Sequence, residues 1–157
     1  QCGDPVVYME HKTLWGAEGP VDESVTIPLG QAAVRRAGSD ITIVSWSKQA
    51  LVCAAACDTL AAQGIQAELI DLRTIWPWDR DTVLASAAKT GRLLVVHEAI
   101  QAAGFGAEIA ATAAEATGCK ISRLGAPRIP VGYAPVLEAQ SRVTADAIVA
   151  RVQQLLA

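Results

Sequence analysis

Residues 67–79 read Ala67-Glu-Leu-Ile-Asp-Leu-Arg-Thr-Ile-Trp-Pro-Trp-Asp79, and this stretch decides the fold. It begins as a short apolar strand that runs into Asp71. Pro77 disfavours a helical backbone at Trp76, and the Asp79 carboxylate can accept hydrogen bonds from the free amides of a following helical turn. The stretch therefore predicts a strand, a corner and a capped helix.

The same alternation of strand and helix continues along the chain. Strand patterns cover residues 32–37, 41–46, 65–72, 92–97 and 120–124. Helical patterns cover residues 49–63, 79–90, 105–117 and 144–156. The first three helical patterns are each followed by a glycine, which commonly ends a helix: Gly64, Gly91 and Gly118. The last carries a broad apolar face of Ile148, Val149, Val152, Leu155 and Leu156.

This order predicts an α/β fold, with a mostly parallel sheet of about five strands between two layers of helices. The run from Arg92 to His97 is almost wholly apolar, so we expect a strand that is covered on both faces. Only the short turn Gly38-Ser-Asp40 separates two strand patterns, and it predicts a hairpin between them. The sheet would thus have one antiparallel edge strand. Residues 125–135 are predicted to form a proline-rich loop.

The amino-terminal part has a different character. Residues 5–10, Pro-Val-Val-Tyr-Met-Glu, are expected to form a strand, and the polar stretch from His11 to about Ser24 shows no periodicity. So long an irregular connection is uncommon inside a compact domain. We expect residues 1–24 to be a linker and strand from a preceding domain, and residues 25–157 to be the α/β domain. The sequence opens with Gln1-Cys-Gly-Asp-Pro5 and not with a methionine, so we expect a piece cut from a longer protein.

Composition excludes several classes of function. A chain of 157 residues, 52% of them apolar, supports one domain with a substantial core. Its 13 basic and 16 acidic residues give a net charge of −3, so no broad basic surface indicates nucleic acid or an anionic membrane as partner. No apolar run approaches the roughly 20 residues that span a bilayer.

Four cysteines occur, at positions 2, 53, 57 and 119. Cys53 and Cys57 would share a helix face near the outer limit for a disulfide, and no histidine lies near them at zinc-site spacing. We expect small, packed apolar groups in a reduced, intracellular chain.

Three motifs could carry chemistry, and each has a structural alternative. Gly104-Phe-Gly106 could expose amides to a phosphate, although the full dinucleotide fingerprint is absent. The same glycines could instead let a helix pack closely on the sheet. His97 and Glu98 end a strand where ligands gather, but adjacent strand residues point to opposite faces, which favours a structural or interface histidine. His11, between Glu10 and Lys12, fits a solvated polar turn.

Arg73 and the four tryptophans complete the candidates. Arg73 could form an ion pair with Asp71 that fixes the corner, or bind a carboxylate or phosphate. Only 4% of the residues are aromatic, and the chain nevertheless has four tryptophans, at positions 15, 46, 76 and 78. The pair that flanks Pro77 could seal a contact between domains or subunits, or cap a helix end within the domain. The residues themselves predict no catalytic, cofactor-binding or metal-binding group, since no nucleophile elbow, metal set or complete phosphate loop occurs.

Several segments, taken in order, resemble the C-terminal domain of the beta subunits of thiamine-diphosphate-dependent 2-oxo acid dehydrogenases of the pyruvate, branched-chain and acetoin type. The fold implied is that of the transketolase C-terminal domain. The segments are Pro5–Trp15, Ile27–Gly30, Ile41–Ser45, Asp71–Asp79, Val95–Ala99, Gly104–Ile109 and Arg128–Pro135.

The resemblance implies a parent enzyme that decarboxylates a 2-oxo acid on thiamine diphosphate and magnesium and transfers the acyl group to lipoamide. Those cofactors would be bound by other domains of a bacterial, cytoplasmic complex, and this chain would bind none. It would be a non-catalytic assembly domain that contacts an alpha subunit, a second beta subunit and the lipoyl acyltransferase core. The interface candidates are Trp15, Arg73, Trp76, Trp78, His97, Glu98, Phe105 and Ala157.

One departure bears on the docking of the core. Family members often carry an acidic residue just before the last strand, where this chain has Gly118-Cys-Lys120. Two alternatives also stay open. One is the equivalent domain of a transketolase or deoxyxylulose-phosphate synthase, and the other is a free-standing nucleotide- or flavin-binding module.

Overall fold

The computed structural model describes residues 3–5, 7–20 and 22–157. Cys2, and Val6 of the strand predicted for residues 5–10, therefore lie outside the described residues. The strands are β1 (Ala33–Arg36), β2 (Ile41–Ser45), β3 (Ala67–Asp71), β4 (Arg92–Ile100) and β5 (Lys120–Ala126). The helices are α1 (Lys48–Ala62), α2 (Arg80–Thr90), α3 (Gly106–Thr117), α4 (Pro135–Glu138) and α5 (Ala145–Leu156). Short 3-10 helices cover Lys12–Leu14 and Ala139–Ser141.

The five strands form one sheet in the order β1-β3-β2-β4-β5. β1 is antiparallel to β3, and every other neighbouring pair is parallel. The predicted α/β fold with one antiparallel edge is confirmed. No helix among the described residues is long and apolar enough to cross a bilayer.

Alternate residues of the central strands face two separate cores, one on each side of the sheet. Leu94 and Val96 pack with α1 and α5, whereas Leu93 and Val95 pack with α2 and α3. This two-sided burial is the physical reason for the unbroken apolar run in β4, and it confirms the prediction of a strand covered on both faces. In α5 the predicted apolar face is buried at Ile148, Val149, Val152 and Leu155, while Leu156 is partly buried.

The predicted hairpin between β1 and β2 is wrong, because β1 pairs with β3. The connecting turn is bound to the start of β3, where the amides of Ser39 and Asp40 donate to the Gln66 carbonyl. In return, the Gln66 amide donates to the Asp40 carboxylate at 2.7 Å. Gly38 lies so close to the Ala67–Glu68 backbone that a Cβ atom there would overlap it. The chain therefore leaves the outer edge of β3 after β1, crosses the amino-terminal end of β3 and continues as β2 on the other side.

The strand predicted for residues 5–10 is also wrong, because residues 7–10 have no regular secondary structure and are exposed. Apart from the 3-10 helix at Lys12–Leu14, the described residues before β1 form turns and irregular backbone.

Cys53 and Cys57 are free thiols on the buried face of α1, which confirms their predicted packing role. Burial is the main cause that raises the pKa of Cys53 to about 12 and that of Cys57 to about 11. Cys119 is free and partly buried.

Candidate functional site

The corner after β3 lies at the carboxyl ends of the parallel strands, the usual location of functional groups in open α/β sheets. It contains the cis peptide bond between Trp76 and Pro77. Asp79 ends the corner and caps α2, as predicted, by accepting from the Thr82 amide at 3.1 Å and the Thr82 hydroxyl at 2.8 Å. It also accepts from the Ala32 amide at 2.9 Å, so one carboxylate fixes both the helix and the entry to β1.

Burial alone would raise the pKa of Asp79. The hydrogen bonds from Ala32 and Thr82 outweigh it, so the pKa lies below its ordinary value. Asp79 is therefore a charged structural group in the folded chain.

Arg73 does not form the predicted ion pair with Asp71. The Asp71 carboxylate lies 3.6 Å from Arg35 Nε, and it accepts only the backbone amide of Arg73, at 3.2 Å. The backbone of Arg73 has a φ of 58°, and its side chain is exposed. Its guanidinium has no ion-pair partner in the part of the chain that the structure describes, so it can meet an anionic group from outside.

The tryptophans that flank Pro77 separate into two roles. Trp78 packs into the core on the α2 and α3 side and meets Phe105 edge-on, with ring centroids 6.3 Å apart. Trp76 points outward and is 75% exposed. The helix-end interpretation therefore fits Trp78, and the external-contact interpretation fits Trp76.

Trp76 is one of three exposed apolar residues at this corner, which we call the corner patch: Leu29, Ile75 and Trp76. Leu29 joins it because the neighbouring amide of Gly30 donates to the Thr74 hydroxyl at 3.3 Å. A hollow of about 240 Å³ opens beside the patch and is lined by Trp76, Pro77, Trp78, Arg80, Glu108 and Thr112. Apolar surface of this kind marks sites of protein contact.

His97 is a buried structural group. Its ring stacks on Trp46 at 5.4 Å, and its Nδ1 lies 3.0 Å from the Ala99 carbonyl. Its Nε2 has no partner among the described residues. Burial is the largest cause that lowers its pKa, so the imidazole is neutral.

The glycines of the Gly104-Phe-Gly106 motif serve this packing. A Cβ atom at Gly104 would lie 2.7 Å from His97 Cε1, and one at Gly106 would lie 2.5 Å from His97 Nε2. The ring therefore occupies the space at the start of α3, which supports the close-packing interpretation over the phosphate-binding one. Phe105 lies between the two glycines and meets Trp46 edge-on at 6.1 Å.

Glu98 has partners that differ from those of His97, as the opposite-face argument predicts. Its carboxylate lies 3.1 Å from His11 Nε2 and 4.0 Å from Lys48 Nζ. The prediction that His11 is merely a solvated turn residue is therefore wrong. His11 Nδ1 accepts from the Thr13 amide at 3.2 Å, so the same ring caps the 3-10 helix.

Of the two remaining interface candidates, Trp15 is 70% exposed and Ala157 is exposed at the end of α5. The residues that the structure describes contain no group of three or more His, Cys, Asp or Glu side chains able to hold a metal ion. What the site offers is exposed apolar surface and the free Arg73 charge on a rigid corner.

Sequence reasoning missed two further features. Ser47, at the start of α1, has a φ of 55°, and nothing in the residue type signals it. Arg123 of β5 and Arg151 of α5 line a groove beside β5, and only the packing of α5 against β5 brings them together.

A family model described as "Transketolase, C-terminal domain" matches residues 30–148. The chain is 48% identical to 2-oxoisovalerate dehydrogenase subunit beta 2, mitochondrial, of Arabidopsis thaliana, over 71% of this chain and 32% of that protein. It is 38% identical to the acetoin:2,6-dichlorophenolindophenol oxidoreductase subunit beta of Bacillus subtilis, over 98% of this chain and 46% of that one.

Among solved structures, the chain is similar to a split gene transketolase described as an inactive beta4 tetramer, with a TM-score of 0.80 and 26% identity. That similarity covers 90% of this chain and 47% of the other. The chain thus spans less than half the length of each of these relatives.

Proposed function

The chain belongs to the family of transketolase C-terminal domains, and from that membership we propose that it is the C-terminal assembly domain of a 2-oxo acid dehydrogenase beta subunit. The similarity to beta subunits supports this proposal most directly. At 38% identity it extends over 98% of this chain but only 46% of the Bacillus subtilis relative. The remainder of such a subunit is the place for catalytic groups.

The parent enzyme that we propose decarboxylates a 2-oxo acid and transfers the acyl group to lipoamide. Thiamine diphosphate and magnesium would be held by the preceding beta-subunit domain and by an alpha subunit. Residues 1–24 would be the linker from that preceding domain, with 25–157 as the domain proper. We propose the cytoplasm of a bacterium as the location, because beta subunits of Cupriavidus necator and Bacillus subtilis are among the relatives.

The role of this chain in such an enzyme is to position the other domains. The corner patch offers apolar surface for burial, and the exposed Arg73 guanidinium offers a charge that a carboxylate on another subunit can pair with. Contacts of this kind hold an active site formed elsewhere without contributing a reacting group. The partners would be an alpha subunit, a second beta subunit and the lipoyl acyltransferase core.

Core docking by this chain would differ from the family pattern, because Lys120 stands where an acidic group is common. Lys120 Nζ donates to the Leu155 carbonyl at 3.0 Å, which ties the start of β5 to the last turn of α5.

The experiment uses the full-length beta subunit, co-expressed with its alpha subunit. Trp76→Ala is expected to weaken assembly in sedimentation velocity and to lower 2-oxo acid decarboxylation in parallel. Leu51→Ala on α1, where the wild-type side chain is 55% exposed, is the matched control and should assemble normally. Normal assembly of the Trp76 variant would contradict the assembly role. Saturable binding of thiamine diphosphate by the 157-residue chain alone would contradict the non-catalytic role.

A second candidate is the equivalent domain of a transketolase, which the similarity to the split transketolase favours. Its 26% identity is lower than the 38% and 48% of the beta subunits, so we rank it second. Activity of the full-length enzyme on sugar phosphates, and none on 2-oxo acids, would reverse the ranking.

A further inference from the structure

β5 is an edge strand, and its backbone has two sides with different partners. On the inner side, the Lys120 amide donates to the Gly91 carbonyl at 3.0 Å, and the Ala126 carbonyl accepts from Gln101 at 2.9 Å. Because backbone directions alternate along a strand, the groups of Arg123 and Gly125 point away from the sheet.

Side chains already occupy these outward groups. Arg151 Nη1 donates to the Arg123 carbonyl at 3.2 Å, and the Gly125 amide donates to Gln101 Oε1 at 3.3 Å. An incoming strand would have to displace both contacts, so this edge is poorly suited to binding by strand addition.

The two arginines at this edge have unused hydrogen-bond donors. Arg123 Nη1 donates to the Gln101 carbonyl at 2.9 Å, and Arg151 Nη1 also donates to the Ser122 hydroxyl at 2.9 Å. Each guanidinium is thus held through one nitrogen, while its remaining N–H groups have no partner among the described residues. Arg35, Arg36 and Arg142 pair with carboxylates, whereas Arg123 and Arg151, like Arg73, have no carboxylate partner among the described residues.

Both arginines line an open groove of about 530 Å³ between α3 and β5. The wall that α3 contributes consists of alanine side chains, namely Ala107, Ala110, Ala111 and Ala114. Methyl groups offer no acceptor that would compete for the guanidinium N–H groups, and the groove concentrates two positive charges on a chain with a net charge of −3.

We propose that this groove is a binding site for a small oxyanion with several carboxylate or phosphate oxygens. Planar guanidinium groups bind such oxygens through paired, charge-assisted hydrogen bonds. Because the protein's own carbonyl and hydroxyl oxygens already fix one nitrogen of each arginine, binding requires little further ordering of the side chains. The groove volume lies in the range of small-molecule sites.

The test titrates the 157-residue chain with inorganic phosphate, citrate and chloride at constant ionic strength, and follows the arginine Nε–H resonances by NMR. Phosphate or citrate is expected to shift the Arg123 and Arg151 signals saturably, whereas chloride should not. Arg123→Gln and Arg151→Gln are each expected to weaken binding by about 10-fold or more, the loss for one charge-assisted hydrogen bond. Arg142→Gln, which removes an arginine paired with Glu138, should bind like the wild type.

Arg151→Lys keeps the positive charge but loses the paired N–H donors of the guanidinium, so we expect intermediate affinity. A melting curve of each variant confirms that it is folded. The proposal is overturned if neither phosphate nor citrate saturates the shifts, or if Arg142→Gln weakens binding as much as the groove variants. Saturation by an oligoglutamate peptide alone would also overturn it and reassign the groove to a protein partner. None of these outcomes depends on the proposed assembly function.

Discussion

At the scale of single residues, Ser47 is one of the non-glycine residues with a positive φ. Its φ of 55° and ψ of −145° lie in a region that glycine alone populates freely. The Ser47 side chain is exposed and makes no capping hydrogen bond to α1. A backbone cost is therefore present without a side-chain contact that offsets it.

We expect Ser47→Gly to raise the free energy of unfolding by about 1 kcal/mol, because glycine adopts this backbone without strain. Urea denaturation measures the change. Ser47→Ala keeps the Cβ atom and should bring no gain. A stabilisation by alanine equal to that by glycine would show that the serine hydroxyl, and not the backbone, is unfavourable.

His97 and Glu68 make stability depend on pH in two separate ranges. Burial holds the pKa of His97 below its ordinary 6.5, so its contribution is present above pH 6.5 and is lost as the pH falls below it. For Glu68, burial raises the pKa, but hydrogen bonds from Lys89, Ser86 and Gly38 outweigh it and hold the pKa below 4.5. The contribution of Glu68 is therefore lost as the pH falls below 4.5.

Unfolding free energies measured from neutral pH downward should show both losses. His97→Phe replaces the ring with one that cannot be protonated, so it should flatten the upper range and leave the lower one. Glu68→Gln should flatten the pH dependence below 4.5 and leave the range below 6.5 unchanged. Each variant is therefore the control for the other. An unchanged slope below pH 6.5 in His97→Phe would assign that loss to another group.

At the scale of elements, Asp79 joins the corner, α2 and the start of β1 through one carboxylate. Asp79→Ala removes the cap on α2 and also leaves the Ala32 amide without its acceptor. We expect a loss of about 2 kcal/mol in the free energy of unfolding. Thr144→Ala removes only the cap of α5, where the Ala147 amide donates to the hydroxyl, and should cost about 1 kcal/mol.

Both losses are measurable by denaturant titration. A loss in Asp79→Ala no larger than that in Thr144→Ala would contradict the expected contribution of the additional bonds of Asp79.

The elements that sequence predicts well are those whose signals are local. The cap at Asp79 and the left-handed residues Gly91 and Gly118 follow from short-range backbone chemistry, and the structure has them where predicted. The strand with which β1 pairs, in contrast, depends on contacts between residues that are distant in sequence. The turn at residues 38–40 is short enough for a hairpin, and only its bonds to Gln66 direct β1 to the far side of β3.

In the candidate site, too, the residue types follow from the sequence, but their contacts depend on distant parts of the chain. Trp76 and Trp78 have the same residue type and flank the same proline, yet one is exposed and the other packs on Phe105. Their directions depend on where α3 lies, which no local pattern encodes. Ion-pair partners are likewise distant in sequence: Asp71 pairs with Arg35, and Glu98 pairs with His11.

At the scale of the whole molecule, both faces of the sheet are covered by helices, so the chain has a complete core on each side. Large apolar side chains nevertheless remain exposed, among them Leu29 at 75% and Trp76 at 75%. The cores do not bury these side chains, and they are the groups that the proposed assembly role would bury against other chains.

We expect the 157-residue chain to self-associate through the corner patch when its other partners are absent. The similar split transketolase is described as an inactive beta4 tetramer. Trp76→Ser should weaken self-association about 10-fold or more in sedimentation velocity, because tryptophan is among the residues that dominate such contacts, and Leu29→Ser should weaken it less. Leu51→Ser removes a comparably exposed apolar side chain from α1 and should leave the association unchanged. A wild-type chain that stays monomeric at all concentrations, or an equal effect of Leu51→Ser, would move the assembly surface away from this corner.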